Sequence, residues 1–205
     1  GWGIACVEPP GGCLWALVRG LRACYNKTFT GGIMHMDKVA SSGNDEFFTP
    51  LYAIDPLLKY IDPALSVWCP FDTEDSLIVK ALRAHGNDVI ATHISTGADF
   101  FTMPPTPCDC IISNPPYSRK GDVFSKLFSL AIPFAMLVGV VGLFESKARF
   151  DMFKNNQFEI MWLSKRVSYF KSYADQKPSL NPPFSSVWIT SKVLPSQLVF
   201  EYICK

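Results

Sequence analysis

The chain has 205 residues, of which 48% are hydrophobic, 14% aromatic and 18% charged. That is roughly one domain of chain, enough to bury roughly 70% of its unfolded surface, and the composition excludes wholesale disorder. With 19 basic and 18 acidic residues the net charge is +1, so no overall field draws the chain to a polyanion or a membrane, and such affinity must come from local placement.

Charge is unevenly distributed: residues 37–118 hold 4 Lys/Arg against 11 Asp/Glu, and residues 119–205 hold 12 against 6. An acidic first part suits a cationic small molecule and a basic second part suits a polyanion; ordinary solvated charge accounts for the imbalance equally well. Seven cysteines (Cys6, Cys13, Cys24, Cys69, Cys108, Cys110 and Cys204) lack the C-x2-C pairs of a zinc site. Reduced thiols in a cytoplasmic protein, with no metal, are the expectation. The longest apolar run, residues 130–144, contains Pro133, Gly139 and Gly142 and is short for a membrane span. Arg19 and Arg22 stand where a signal peptide would present its cleavage site, so neither a membrane partner nor secretion is expected.

Residues 1–33 show no clear period, and Met34 and Met36 precede a polar stretch. Translation from one of these two residues is the expectation, which makes 1–33 an extension outside the fold and 34–205 the folded domain. From there the punctuation is regular. Thr49 as N-cap and Pro50 at the first helical position predict a helix over 50–61, disturbed at Pro56. A strand over 66–69 precedes a helix over 75–85, whose apolar face is Leu77, Ile78, Ala81 and Leu82 and whose stop is Gly86. Strands follow over 88–92 and 109–113, then a helix over 122–131 and a buried strand over 134–141. A helix over 145–154, a strand over 157–163 and β-rich segments at 166–170, 185–190 and 197–203 complete the order. This alternation predicts a doubly wound α/β sheet, mostly parallel, with antiparallel strands near the C-terminus.

The most informative segment is Asn114-Pro115-Pro116-Tyr117, delivered by an apolar strand to its carboxyl end, where open α/β sheets bind ligands. Two prolines fix φ twice and hold Asn114 extended, so the loop is stiff. The Asn114 side-chain oxygen and the Pro115 carbonyl can both accept hydrogen bonds from one amino group, and Tyr117 offers a flat face to a planar ring. The pattern recurs at Asn181-Pro182-Pro183-Phe184, but there it follows a polar stretch and reads as a turn before a late strand.

Asn114-Pro115-Pro116-Tyr117 resembles the catalytic (D/N)PP(Y/F) motif of S-adenosylmethionine-dependent amino-methyltransferases, above all the N6-adenine class. Three further segments strengthen the likeness: Asp45-Glu46-Phe47-Phe48-Thr49-Pro50, Trp68-Cys69-Pro70-Phe71-Asp72 and Gly97-Ala98-Asp99-Phe100-Phe101. In order and spacing they resemble small phage or prophage N6-adenine DNA methyltransferases over about residues 44–190. The resemblance implies a Rossmann-like methyltransferase fold, S-adenosylmethionine as cofactor, DNA as partner and adenine N6 as acceptor. Asn114, Pro115, Pro116 and Tyr117 are then the catalytic residues. Phe48, Thr49 and Pro50 would lie against the cofactor's methionine part, Pro70, Phe71, Asp72 and Ser76 near its carboxypropyl and ribose, and Asp99 and Phe100 around its adenine.

This chain departs from the family pattern in its first cofactor turn. Cys69 stands at the acidic position, Thr73 and Asp75 at glycine positions, and His93 near the place of the ribose-binding carboxylate; Asp72, Glu74 or Asp75 would supply the missing charge. Only about six residues separate the second strand from Asp99, which implies a reduced sheet. With no room for a large recognition domain, the nucleic-acid surface falls to Arg119, Lys120, Lys165, Arg166 and Lys171, interleaved with Tyr169, Phe170 and Tyr173. Two other readings stay open: the same chemistry on RNA or a protein amide, and a non-catalytic nucleic-acid-binding relative. Cys108 and Cys110, on one side of a strand, and Trp162 and Trp188 read as structural.

Overall fold

A computed structural model describes residues 47–204 apart from 175, 177, 181 and 183. The expectations for residues 1–33 and for Asn181 and Pro183 therefore fall outside the described residues.

Strands β1 (Ser66–Cys69), β3 (Cys110–Ser113) and β4 (Phe134–Gly139) are buried almost throughout, without polar alternation, as central parallel strands require. Their pleat sends successive residues to opposite layers: Val67, Cys69, Cys110, Ile112, Ala135 and Leu137 join one core, and Trp68, Ile111, Phe134, Met136 and Val138 the other. Helices α1 (Leu51–Leu58) and α2 (Leu77–His85) cover the first layer with Ala53, Ile54, Leu57, Ile78 and Leu82. Helices α3 (Lys120–Leu130) and α4 (Lys147–Lys154) cover the second with Val123, Phe124, Leu127 and Phe153. Each such Val, Leu, Ile or Phe side chain contributes about 1.5–3 kcal/mol when fully buried.

With β2 (Asp88–Ala91), β5 (Glu159–Leu163), β8 (Ser186–Ser191) and β9 (Leu198–Glu201), the main sheet has seven strands in the order β2-β1-β3-β4-β8-β5-β9. Only β8 runs against its neighbours. The fold is thus the doubly wound, mostly parallel α/β arrangement, but its expected antiparallel C-terminal end reduces to β8, because β9 pairs in parallel with β5. A separate hairpin joins β6 (Tyr169–Phe170) to β7 (Pro178–Leu180). Strand β7 lies in the polar stretch before Asn181, where the sequence predicts a turn. The sheet is not reduced in strand number, because β9 adds a strand at the far edge; the short connection leaves β2 as the near edge strand, followed by a single 3-10 turn over Ile94–Thr96 and Gly97 in the left-handed region at φ 85°.

Element boundaries moved where side chains had other partners. Pro50, not Thr49, precedes α1 as its cap residue, because the Thr49 hydroxyl accepts from Asn114 Nδ2 at 3.2 Å instead. Helix α1 also ends at Leu58, just after Pro56. Cys108 and Cys110 separate, Cys110 into one core and Cys108 against the other, because the strand begins only at Cys110 and alternation does not reach back to 108. Trp188 is wholly buried and donates to Ala53 O at 2.8 Å.

Gly139 closes β4 where Phe184 packs directly above it. A Cβ there would lie 2.6 Å from the Phe184 ring. Gly139→Ala is expected to destabilise the fold by about 1–3 kcal/mol through overpacking, read as a lowered midpoint in urea denaturation.

Candidate active site

Helix α2, which follows β1, and helix α3, which follows β3, pack on opposite faces of the sheet, so the loops leaving β1 and β3 part company and open a crevice at the strands' carboxyl ends. A cavity of about 570 Å³ lies there. Of the residues expected from sequence, Phe48, Pro70, Phe71, Asp72, Ser76, His93, Asp99, Phe100, Asn114, Pro116 and Arg119 line it. Thr49, Pro50, Pro115, Tyr117, Lys120, Lys165, Arg166 and Lys171 do not.

Strand β3 ends at Ser113, and the two prolines keep the next residues out of helical geometry until the 3-10 turn Tyr117–Arg119 leads into α3. Asn114 is gripped from one side only. Its Nδ2 donates to Phe47 O at 2.7 Å and to Thr49 Oγ1 at 3.2 Å, while its Oδ1 is buried and has no hydrogen-bond partner among the described residues. A carbonyl can only accept, so Phe47 O fixes which end of the amide is nitrogen and leaves the oxygen available.

The turn after β1 is held by Asp72, whose carboxylate accepts from Ser76 Oγ at 2.6 Å, from Ser113 Oγ and from the Asn114 backbone N–H. Ser76 in turn caps α2 by accepting from Ile78 N at 3.2 Å, and Ser113 Oγ accepts from Phe71 N at 3.2 Å. One carboxylate therefore ties the first turn, the α2 N-terminus and the Asn114 loop together. Its burial raises its pKa above 3.8, against the downward pull of those same donors. Asp72 borders the cavity as its brace, since both its oxygens are already engaged. Cys69, at the family's acidic position, is fully buried, its thiol pushed well up by burial first and then by the Asp72 charge.

At the far end, His93 Nδ1 accepts from Ser95 N at 3.2 Å and lies 2.7 Å from Ser95 Oγ. Asp99 Oδ1 accepts from Phe101 N at 2.9 Å, folding the acidic-aromatic segment into a turn. The Phe100 ring is 2% exposed, packed between Trp68 and Phe71 with centroids 5.5 and 4.8 Å away, so it meets the cavity as part of the core wall. Arg119 stands at the rim, its guanidinium 3.5 Å above the Phe101 ring and paired with Asp122 at 3.2 Å.

Three sequence expectations meet different surroundings. Tyr117, expected to stack on a base, has the Phe47 ring against it at 4.9 Å and 27°, and its hydroxyl donates to Tyr169 at 2.8 Å. Tyr169 and Phe170, expected on a nucleic-acid surface, are buried; Tyr169 sits beside Ser186 at 2.8 Å, and burial pushes its hydroxyl up to about 12. Lys120 donates to Val141 O at 2.7 Å and to Gly139 O at 3.4 Å, tying α3 to the end of β4. Lys165, Arg166 and Lys171 are exposed, and Lys165 and Arg166 follow β5 on the same sheet edge as the cavity.

Sequence reasoning missed Phe47 and Tyr173 as cavity residues. Tyr173 lies edge-on to Phe48 at 4.6 Å and meets Ser76 Oγ at 3.1 Å. Ser76 already donates its proton to Asp72, so Tyr173 is the donor. Burial, then the Asp72 charge, raises the Tyr173 hydroxyl to about 12. Phe47 belongs to a segment singled out in the sequence, but its place over the strand ends is set by tertiary contacts: the bridge between Phe48 and Phe170, with N–O distances of 3.4 and 3.0 Å, and the Asn114 bonds to Phe47 and Thr49.

No protein-family model matches the sequence, and no curated protein does. Among solved structures, the chain is similar to a protein from Vibrio vulnificus YJ016 described as a modification subunit of a type I restriction enzyme, with 16% identity and a TM-score of 0.44. The alignment covers 93% of this chain and 50% of that one, so this chain spans about half the neighbour's length. A likeness this loose places no residue. The class of protein rests on the sheet order and the crevice: an α/β domain with a ligand cavity at the carboxyl ends of its parallel strands. Among the described residues no helix is long and apolar enough to cross a membrane.

Proposed function

We propose that the protein is an S-adenosylmethionine-dependent methyltransferase acting on the N6 amino group of adenine in DNA. The observation that carries this reading is the Asn114 carboxamide: nitrogen tied back to Phe47 and Thr49, oxygen buried and unpartnered beside a cavity. A buried acceptor without a donor costs about 1–3 kcal/mol, and an incoming amino group would recover it.

The residues present fit the cofactor. A cavity of about 570 Å³ is within the range of small-molecule sites. Its Asp72 and Asp99 carboxylates and the Phe48, Phe71 and Tyr173 rings suit a cation with a planar base. Phe48, Phe71 and Ser76 would hold the amino-acid end, and His93, Asp99 and Phe100 the nucleoside end. When bound, the cofactor supplies an electrophilic methyl group on a positive sulfur. The chain's own work falls on the acceptor. An exocyclic adenine amine is a weak nucleophile because its lone pair is delocalised into the ring. A hydrogen bond from one of its protons to Asn114 Oδ1 favours a pyramidal nitrogen and aims the lone pair, and the stiff Pro-Pro loop holds that acceptor in place. Thr49→Val removes one of the two acceptors holding Asn114 Nδ2, and a severalfold lower rate with unchanged cofactor affinity is expected from single-turnover assays.

DNA as partner is supported by the exposed Lys165, Arg166 and Lys171, the first two on the cavity's edge of the sheet. Each of the three that meets a phosphate contributes about 0.9 to the slope of log affinity against log salt. Replacing them with alanine should flatten that slope, measured by fluorescence anisotropy on duplex DNA, whereas Lys120→Ala should lower thermal stability and leave the slope unchanged.

Calorimetric titration with S-adenosylmethionine, followed by labelled-methyl transfer to DNA, RNA and protein pools, tests the function. Transfer to DNA as N6-methyladenine is expected. Transfer to RNA or protein alone redirects the acceptor, and absence of cofactor binding favours the non-catalytic relative, with Thr73 and Asp75 at glycine positions as its supporting feature.

A further inference from the structure

We propose that Phe47 is the aromatic platform of the acceptor site, the ring on which the target base stacks, with Tyr117 as its support. The proposal rests on the methyltransferase reading and adds a residue to it. Phe47 lines the cavity and Tyr117 does not. The two rings lie 4.9 Å apart at 27°, a stacked pair with no space for a base between them.

Tyr117 is fixed behind that pair. Its hydroxyl donates to Tyr169, which is fully buried and pairs with Ser186, and the Phe184 ring packs edge-on to it at 5.6 Å. The face it turns towards Phe47 is covered. Phe47 meets Tyr169 edge-on at 5.3 Å, and its chain neighbour is pinned to Phe170 by the backbone bridge. Of the two stacked residues it is therefore Phe47 that lines the cavity beside Asn114, seated on a rigid support.

The same residue orients the amide. Asn114 Nδ2 donates to the Phe47 carbonyl at 2.7 Å, so the height of the stacking ring and the direction of the Asn114 oxygen are set by one backbone segment. A base lying on Phe47 would have its exocyclic amine presented at a height fixed relative to Oδ1. The contrary arrangement is a Phe47 ring that merely fills the slot over Tyr117 and must swing away before a base enters.

The two arrangements give opposite results in one experiment. Wild type, F47A and F47Y are titrated with S-adenosylmethionine and then assayed for initial rates of labelled-methyl transfer to a random-sequence unmethylated duplex pool. The platform predicts that F47A raises KM for DNA roughly 5- to 150-fold, the range of alanine substitutions at base-stacking rings. Cofactor Kd should stay within about twofold of wild type, and F47Y should return KM to near the wild-type value. An unchanged or lowered KM in F47A overturns the platform in favour of a slot-filling ring. F47Y as impaired as F47A, or F47A with weakened cofactor binding, overturns it in favour of a structural role. Failure of the methyltransferase reading looks different: wild type itself then transfers no methyl group to the pool.

Discussion

Asn114→Ala is expected to lower methyl transfer by roughly 10²–10³-fold, the usual loss when a preorganised polar group at the reacting centre is removed, while S-adenosylmethionine affinity changes by less than about twofold. The separation follows from geometry: the amide's contacts run to Phe47 and Thr49 on the acceptor side, and its free oxygen is the group offered to the amine. Asn114→Asp is the sharper variant. The family motif allows Asp or Asn, but here Phe47 O faces the Nδ2 position at 2.7 Å, and a carboxylate would set oxygen against oxygen. Asn114→Asp should therefore transfer far more slowly than wild type at neutral pH. Single-turnover rates with calorimetric cofactor titrations check both; an active Asn114→Ala protein would remove the proposed chemistry.

Asp72→Ala carries the second large effect. It strands the Ser113 hydroxyl, the Ser76 hydroxyl and the Asn114 N–H in a buried site, each loss worth about 1–3 kcal/mol before relaxation. A net loss of about 2–4 kcal/mol is expected, less than the sum because the wild-type carboxylate is itself costly to bury. The loosened β1 turn and Asn114 loop should also weaken cofactor binding.

The pH dependence has a definite sign. Burial raises the folded-state pKa of Asp72 above 3.8, so the folded protein holds that proton more tightly than the unfolded chain does. The resulting stability is fully present below about 3.8, the ordinary carboxylate value, and is lost as pH rises through the raised folded value. Relative to Asp72→Asn, which does not titrate, the wild type should lose stability across that window, read from denaturation midpoints at successive pH values. A flat difference would mean that the three donors cancel the effect of burial.

The cavity's chemistry was legible along the chain wherever it depends on residues close together. Asn114 through Tyr117 could be read as a stiff acceptor loop because two prolines act on their immediate neighbours and an apolar strand precedes them. His93 and Asp99 follow from the family resemblance, which is carried by short segments of neighbouring residues. Tyr117, Lys120 and Tyr169 were misjudged for a common reason: whether an aromatic or a cation faces solvent depends on what folds over it. Here Phe47 and the β6–β7 hairpin cover Tyr117, and the carbonyls at the end of β4 hold Lys120.

Apolar runs, glycine stops and Pro-Pro stiffness act within a few residues, so the string of letters alone decided the β-α alternation, the layered core and the position of the Asn114 loop at a strand end. Contacts across long stretches of chain decided the rest: that Asp72 ties the turn after β1 to the Asn114 loop, that Phe47 rather than Tyr117 lines the cavity, and that the buried Asn114 oxygen is left without a partner among the described residues. Hydrogen bonds and ring packing act over a few ångströms of space, and only folding brings Phe47, Asn114 and Tyr169 within that reach.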